Sequence, residues 1–205
     1  MFGKRGLYAI TPELFDDAAL FQACRQVLAG GAVCLQYRAK QKPASQRERE
    51  ARLLQRLCHN AGAEFIVNDD LSLAAELGCG LHVGEGDCSV ADARKTLGAE
   101  AIIGASCYDS LTRAKQAAAD GASYLAFGAF YPSTTKRNTR QASLDLLAQA
   151  RAFGLPLVAI GGITVNRALT LIDAGADYLA VVSALFERPD LVRQQAEAFS
   201  ACFSH

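Results

Sequence analysis

Leu157-Val158-Ala159-Ile160 runs straight into Gly161-Gly162, an unbroken apolar stretch set against a glycine turn. A strand wetted on one side alternates apolar and polar residues. This run offers no polar face, which is the pattern of a parallel strand buried on both sides. The same cadence recurs along the chain at Gly6–Thr11, Ala32–Arg38, Glu64–Asn68, Gly80–Val83, Ala101–Ser106, Tyr124–Ala129, Pro156–Ile160 and Asp177–Ser183. Each run leads into polar or glycine-rich residues and then an amphipathic stretch, so the repeating unit is strand followed by helix. Eight such units share 205 residues, roughly 26 apiece, which suits a closed parallel barrel. The predicted fold is therefore α/β, an eight-stranded parallel (βα)8 TIM barrel forming one domain over residues 1–205. An open doubly wound sheet is the alternative, but the early Gly-x-Gly-x-x-Gly turn expected of one is missing.

Helix signals fill the intervals. Ser45-x-x-Glu48 reads as a capping box, followed by Leu54, Leu57, Cys58 and Ala61 at three- and four-residue spacing and by Gly62 as a left-handed stop. Ser89-x-x-Asp92 opens another helix that Gly98 ends, and Asp70 reads as the cap of a helix starting at Leu71. Leu14–Ala29, Leu111–Ala119, Leu144–Phe153 and Val165–Ala174 carry similar apolar stripes.

Composition narrows the function classes. Basic and acidic side chains number 21 each, so neither a nucleic-acid-binding surface nor a polybasic membrane anchor is expected. With 51% apolar residues the chain can build a large core. No apolar run approaches the roughly 20 residues that cross a bilayer, and Met1–Ile10 lacks the apolar stretch of a signal peptide. Seven cysteines without a Cys-x-x-Cys pair read as small buried hydrophobes in a reducing compartment, so a soluble cytoplasmic protein is expected.

In a barrel of this kind the chemistry sits on the loops that follow the strands. The polar residues of this chain fall there. Arg38, Lys40 and Lys136, with the hydroxyls of Ser106, Ser133 and Thr135 and the amides of Gln36 and Asn68, would gather at one mouth, a set that fits an oxygen-rich anion such as a diphosphate. Asp69 and Asp87, on adjacent strand ends, suit a hard divalent cation bridging to phosphate, and magnesium takes one or two carboxylates in that way. Zinc favours nitrogen and sulfur, and His59, His82 and His205 lack ligand spacing. Gly161-Gly162 and Val182-Ser183 end strands seven and eight, where such barrels hold phosphate on backbone amides. His82 reads as a hydrogen-bonded structural residue, and among the strand aromatics Tyr8 alone merits a test at the cavity wall.

Gln36-Tyr37-Arg38-x-Lys40, Asn68-Asp69-Asp70, His82-Val83-Gly84-x-x-Asp87, Gly104-x-Ser106, Gly128-x-Phe130-Tyr131-Pro132-Ser133-x-Thr135-Lys136, Ala159-Ile160-Gly161-Gly162-Ile163 and Val182-Ser183 occur in that order. Together these blocks resemble the thiamine-phosphate synthase family over essentially the whole chain. The resemblance implies a magnesium-dependent (βα)8 enzyme that transfers a hydroxymethylpyrimidine group from its diphosphate to the nitrogen of a thiazole phosphate, or of its carboxylated form. By position, it implies that Gln36, Arg38, Lys40, Asn68, Ser106 and Lys136 hold the pyrimidine diphosphate, with Tyr37 and Ala39 in the same segment. It implies that Asp69 and Asp87 bind magnesium. Ser133, Thr135, Gly162, Val182 and Ser183 would take the thiazole phosphate, with Thr134 lending its backbone. Lys136, Arg38, Lys40 and Ser106 would act in the chemical step, and the partners are two small molecules, with a homo-oligomer left open.

This sequence departs from the family at Ser133, which often is threonine, and at Gly86, which often is acidic. A thiazole tautomerase on the same fold would need an acid–base group and no diphosphate clamp, and the strand-six end Phe127-Gly128-Ala129-Phe130 offers no histidine. A non-catalytic sensor of phosphorylated precursors would have no use for paired Asp69 and Asp87 opposite Lys136. The segment Tyr131–Gln141, rich in Thr, Arg and Lys, reads as a lid. If Lys136 stabilises departing diphosphate, Lys136→Ala lowers kcat far more than it raises the KM for thiazole phosphate; near-normal turnover would remove Lys136 from that role.

Overall fold

The computed structural model describes residues 4–13, 16–132 and 141–204. Eight strands close on themselves in chain order, every pair parallel: β1 (Gly6–Ile10), β2 (Cys34–Tyr37), β3 (Glu64–Asn68), β4 (Gly80–Val83), β5 (Ile103–Tyr108), β6 (Tyr124–Phe127), β7 (Leu157–Ile160) and β8 (Tyr178–Val181). The open-sheet alternative is thereby excluded, since β8 pairs with β1 through Leu7 and Leu179. Between and after the strands lie α1 (Asp17–Ala29), α2 (Ala44–Ala61), α3 (Leu71–Leu77), α4 (Val90–Leu97), α5 (Leu111–Ala119), α6 (Leu144–Ala150), α7 (Val165–Asp173), α8 (Ser183–Phe186) and α9 (Val192–Ala201).

Strand alternation divides the core in two. Leu7, Leu35, Phe65, Val67, Leu81, Ile103, Leu125, Leu157 and Leu179 point outward into the layer shared with the helices. Tyr8, Ile10, Cys34, Ile66, Tyr124, Ala126, Val158, Tyr178 and Ala180 fill the barrel. Both layers are apolar, which is why the strands read as continuous apolar runs. The helices cover the outer layer with one stripe each. In α2 the buried positions are Glu50, Ala51, Leu54 and Cys58, and burying a leucine such as Leu54 contributes about 1.5–3 kcal/mol.

Several helix ends follow the sequence. Asp70 accepts the Leu73 amide at 3.1 Å, Ser89 accepts the Asp92 amide at 3.0 Å, and Gly62 ends α2 in the left-handed conformation. The expected capping box at Ser45 is not formed. The cap falls two residues earlier, at Pro43, because the Pro43 carbonyl already accepts the Gln46 and Arg47 amides and Glu48 is drawn to Arg52. The helix expected over Leu14–Ala29 begins at Asp17, with Asp16 accepting the Ala19 amide at 2.8 Å. β5 starts two residues later than expected and runs on to Tyr108. Two helices that the sequence reading did not single out, α8 and α9, follow β8, and α9 packs on α1 where Ser200 Oγ donates to the Gly30 carbonyl at 2.9 Å.

Space inside the barrel is decided at Gly104. A Cβ there would overlap the Tyr124 ring, so the small residue on β5 is what admits a phenol from β6. Gly104→Ala should destabilise the protein by about 1–3 kcal/mol through overpacking, read as a lower urea midpoint at unchanged slope.

Candidate active site

The ends of the strands place the polar residues at one mouth. β2 delivers Gln36, whose side chain is buried inside the barrel, and then Arg38, Ala39 and Lys40 in the loop above. Three hydrogen bonds from the segment after β1 fasten that loop. Thr11 Oγ1 accepts the Arg38 amide at 2.8 Å, Glu13 accepts the Gln41 amide at 2.7 Å, and Glu13 Oε2 accepts from Arg38 Nη1 at 3.0 Å. Beneath it Glu50, only 3% exposed, accepts from the Tyr37 hydroxyl at 2.6 Å and from Lys42 Nζ at 2.7 Å. The Tyr37 ring therefore belongs to the outer layer. A buried carboxylate persists only with such partners. Burial, followed by the Glu50 carboxylate, pushes the Tyr37 hydroxyl well above its usual range.

β3 and β4 bring two carboxylates together. Asp69 follows Asn68 with φ 64°, a left-handed backbone costly for a side chain other than glycine. Its Oδ2 lies 2.6 Å from Lys40 Nζ. Asp87 Oδ2 accepts the Gly84 amide at 2.8 Å. Burial, and then the adjacent Asp69 carboxylate, raise the Asp87 carboxyl above its ordinary range, opposed by the Gly84 amide and more weakly by Lys40. Two carboxylates this near each other, with a lysine balancing them, form a site for added positive charge. Among the described residues no third acidic, histidine or cysteine side chain joins them. That donor set suits magnesium, which needs one or two carboxylates and fills its octahedron from water and phosphate. The β4–α4 loop carrying Asp87 is braced by Tyr108, whose hydroxyl accepts the Glu85 amide at 3.1 Å and whose ring lies 5.3 Å from the Arg113 guanidinium.

Across the mouth, Gly161 and Gly162 have φ 103° and 60°. Side chains there would also collide with Ala129 and with the Tyr131 and Pro132 carbonyls, so the β7–α7 turn needs glycine twice over. Arg167 donates to the Gly162 carbonyl at 2.8 Å and stacks 4.4 Å from the Tyr131 ring. Val182 and Ser183 begin α8 beside this turn in the strand order. Ser133, Thr134, Thr135 and Lys136, with most of the expected lid segment, lie outside the described residues.

Inside the barrel His82 is satisfied on both nitrogens, by Tyr124 at 2.9 Å and by Ser106 Oγ at 2.9 Å. The cysteines are free thiols; burial pushes Cys58, Cys79 and Cys107 up to about 12, far from a reactive thiolate. Glu13, Glu50, Tyr108 and Tyr124 were not anticipated. The inward parity of Tyr124, two residues before Ala126 on the same strand, was the one available signal among them.

The family model described as thiamine monophosphate synthase matches residues 7–185. A thiamine-phosphate synthase of Chromobacterium violaceum is 52% identical over 186 residues, covering 90% of each chain. One from Azoarcus is 48% identical over 202 residues, covering 98% of each. Among solved structures, a thiamine phosphate pyrophosphorylase from Pyrococcus furiosus superposes with a TM-score of 0.87 at 30% identity, covering 98% of this chain and 96% of its own.

A raised carboxyl pKa means that the fold binds the proton more tightly than the unfolded chain does, so stability falls as pH rises through the carboxylate range. In chelator, Asp87→Asn should melt above the wild type at neutral pH, and the difference should vanish as pH drops below that range. A variant melting lower at neutral pH would contradict the assigned repulsion.

Proposed function

Because the chain belongs to the thiamine monophosphate synthase family, we propose that it joins 4-amino-2-methyl-5-hydroxymethylpyrimidine diphosphate to 4-methyl-5-(2-phosphoethyl)thiazole, or its carboxylated form, releasing thiamine phosphate and diphosphate. The observation that carries this reading is the gathering of Arg38 and Lys40 with the paired carboxylates Asp69 and Asp87 at the mouth of the barrel. In the proposed reaction the bond between the pyrimidine methylene carbon and the diphosphate oxygen breaks with its electron pair leaving on diphosphate. The thiazole nitrogen then gives its lone pair to that carbon, and no proton changes hands. The aminopyrimidine ring spreads the positive charge, so stabilising the leaving anion is the main task of the protein.

Arg38, Lys40 and Lys136 supply that charge, and Gln36, Asn68 and Ser106 orient the pyrimidine. Tyr37 and Ala39 contribute through the main chain of the same loop. Asp69 and Asp87 would hold magnesium, which adds counter-charge for the diphosphate oxygens. With magnesium on Asp69, Lys40, now paired with that carboxylate, would be available to the diphosphate. Gly162, Val182, Ser183 and the segment Ser133–Thr135 receive the thiazole phosphate on backbone amides and hydroxyls. The partners in this reading are small molecules. No helix among the described residues is long and apolar enough to cross a membrane, and the unpaired thiols suit the reducing cytoplasm, where we place the reaction.

Mixing the protein with both phosphorylated precursors should yield thiamine phosphate and diphosphate in equal amounts with magnesium and neither with chelator. Folded protein that binds both precursors and joins neither would overturn the reading in favour of a sensor.

A further inference from the structure

The turn that presents Asp87, Gly84-Glu85-Gly86-Asp87, has two glycines in four residues. Gly86 is exposed with φ 90°, and a side chain on it would meet nothing within 4 Å, so this stretch has wide backbone freedom and little packing to restrain it. Hydrogen bonds hold it instead. One is internal, from the Gly84 amide to Asp87 Oδ2 at 2.8 Å. Another comes from β5, where the Tyr108 hydroxyl accepts the Glu85 amide at 3.1 Å. Arg113 joins the same pair: its Nη1 donates to Glu85 Oε1 at 2.9 Å while its guanidinium lies over the Tyr108 ring at 5.3 Å.

Tyr108 reaches the turn by an irregular backbone. β5 carries an extra residue between Ser106 and Tyr108, which pair with the consecutive Ala126 and Phe127 of β6. Tyr108 itself has φ 55°, a left-handed conformation costly for a residue with a side chain. A bulge of this kind re-aims a side chain, and here the phenol turns to the β4–α4 loop. The hydroxyl arrives at the site itself. A Cβ on Gly84 would lie 3.2 Å from Asp87 Oδ2, 3.3 Å from the Tyr108 hydroxyl and 4.0 Å from Ser106 Oγ. Gly84 thus lets three polar groups crowd round one point, of which the reading above gives Asp87 to magnesium and Ser106 to the pyrimidine diphosphate.

We propose that Tyr108 is a positioning residue that sets how tightly the site holds its metal, its hydroxyl fixing the Glu85 amide so that Asp87 stays beside Asp69. Glu85 is two residues from Asp87, so a slack Glu85 lets the carboxylate drift. A divalent cation held by two carboxylates then loses one of the pair that must face it together. The inference rests on the reading of Asp69 and Asp87 as magnesium ligands.

Calorimetric titration of the full chain with inorganic diphosphate, once with magnesium and once in chelator, tests it without turnover. The ratio of the two affinities is the gain that the metal supplies. Wild type should show a gain and Asp87→Asn should lose it. Tyr108→Phe keeps the ring over which Arg113 stacks and removes only the hydroxyl. It should cut the gain by roughly five- to tenfold and leave binding in chelator within about twofold. A hydroxyl that served the fold alone would lower the melting temperature and leave the gain as it was. An undiminished gain in folded Tyr108→Phe, with Asp87→Asn losing it, overturns the proposal and leaves the magnesium reading standing. No gain in wild type, or the same gain in Asp87→Asn, overturns both. Hydrogen exchange on wild type adds a check that needs no variant: the Glu85 amide should exchange at least about tenfold more slowly than in an unstructured peptide. Exchange at the unstructured rate overturns the proposal.

Discussion

An eight-stranded barrel has room inside for a few side chains only, and that shortage of space governs the rest of the molecule. The phenol ring of Tyr124 from β6 reaches the middle beside Tyr8 because β5 contributes Gly104, and Ile66 fits because β4 contributes Gly80. Once the rings are inside, their hydroxyls need partners, since an unmatched buried hydroxyl costs about 1–3 kcal/mol. Gln36 and His82 meet that need, and Ser106 in turn takes the far nitrogen of His82. The mouth of the barrel thus inherits its polar floor from a packing decision made one layer below.

The loops above are organised by charge instead of by volume. Glu13 and Glu50 both hold the segment after β2, and Asp69 takes Lys40. Arg38 and Lys40 are each paired with a carboxylate, so the loop after β2 is shaped before an anion arrives and little of its ordering remains for binding to impose.

The fold was legible because burial on both faces writes itself into a strand as an unbroken apolar run, as at Leu157–Ile160. The mouth residues were legible because polar groups directly after such runs have few other reasons to be there. Other features depend on three-dimensional partners and left no local mark. Ser45 satisfies a capping pattern that the Pro43 carbonyl had already made redundant. Glu50 looks like one more charge on a polar helix until Tyr37 and Lys42 are seen closing on it. Tyr124 stands at the start of an apolar run, and its role comes from the glycine across the ladder.

The seam between β1 and β8 has a consequence for the order of events during synthesis. β1 finds one neighbour in β2 early, but its other edge is completed only when β8 is made, about 170 residues later, and α1 waits as long for α9. A growing chain therefore carries an unpaired apolar strand edge for most of its time on the ribosome. The barrel cannot close before β8 emerges, so the free edge of β1 stays open to mispairing until synthesis is nearly complete.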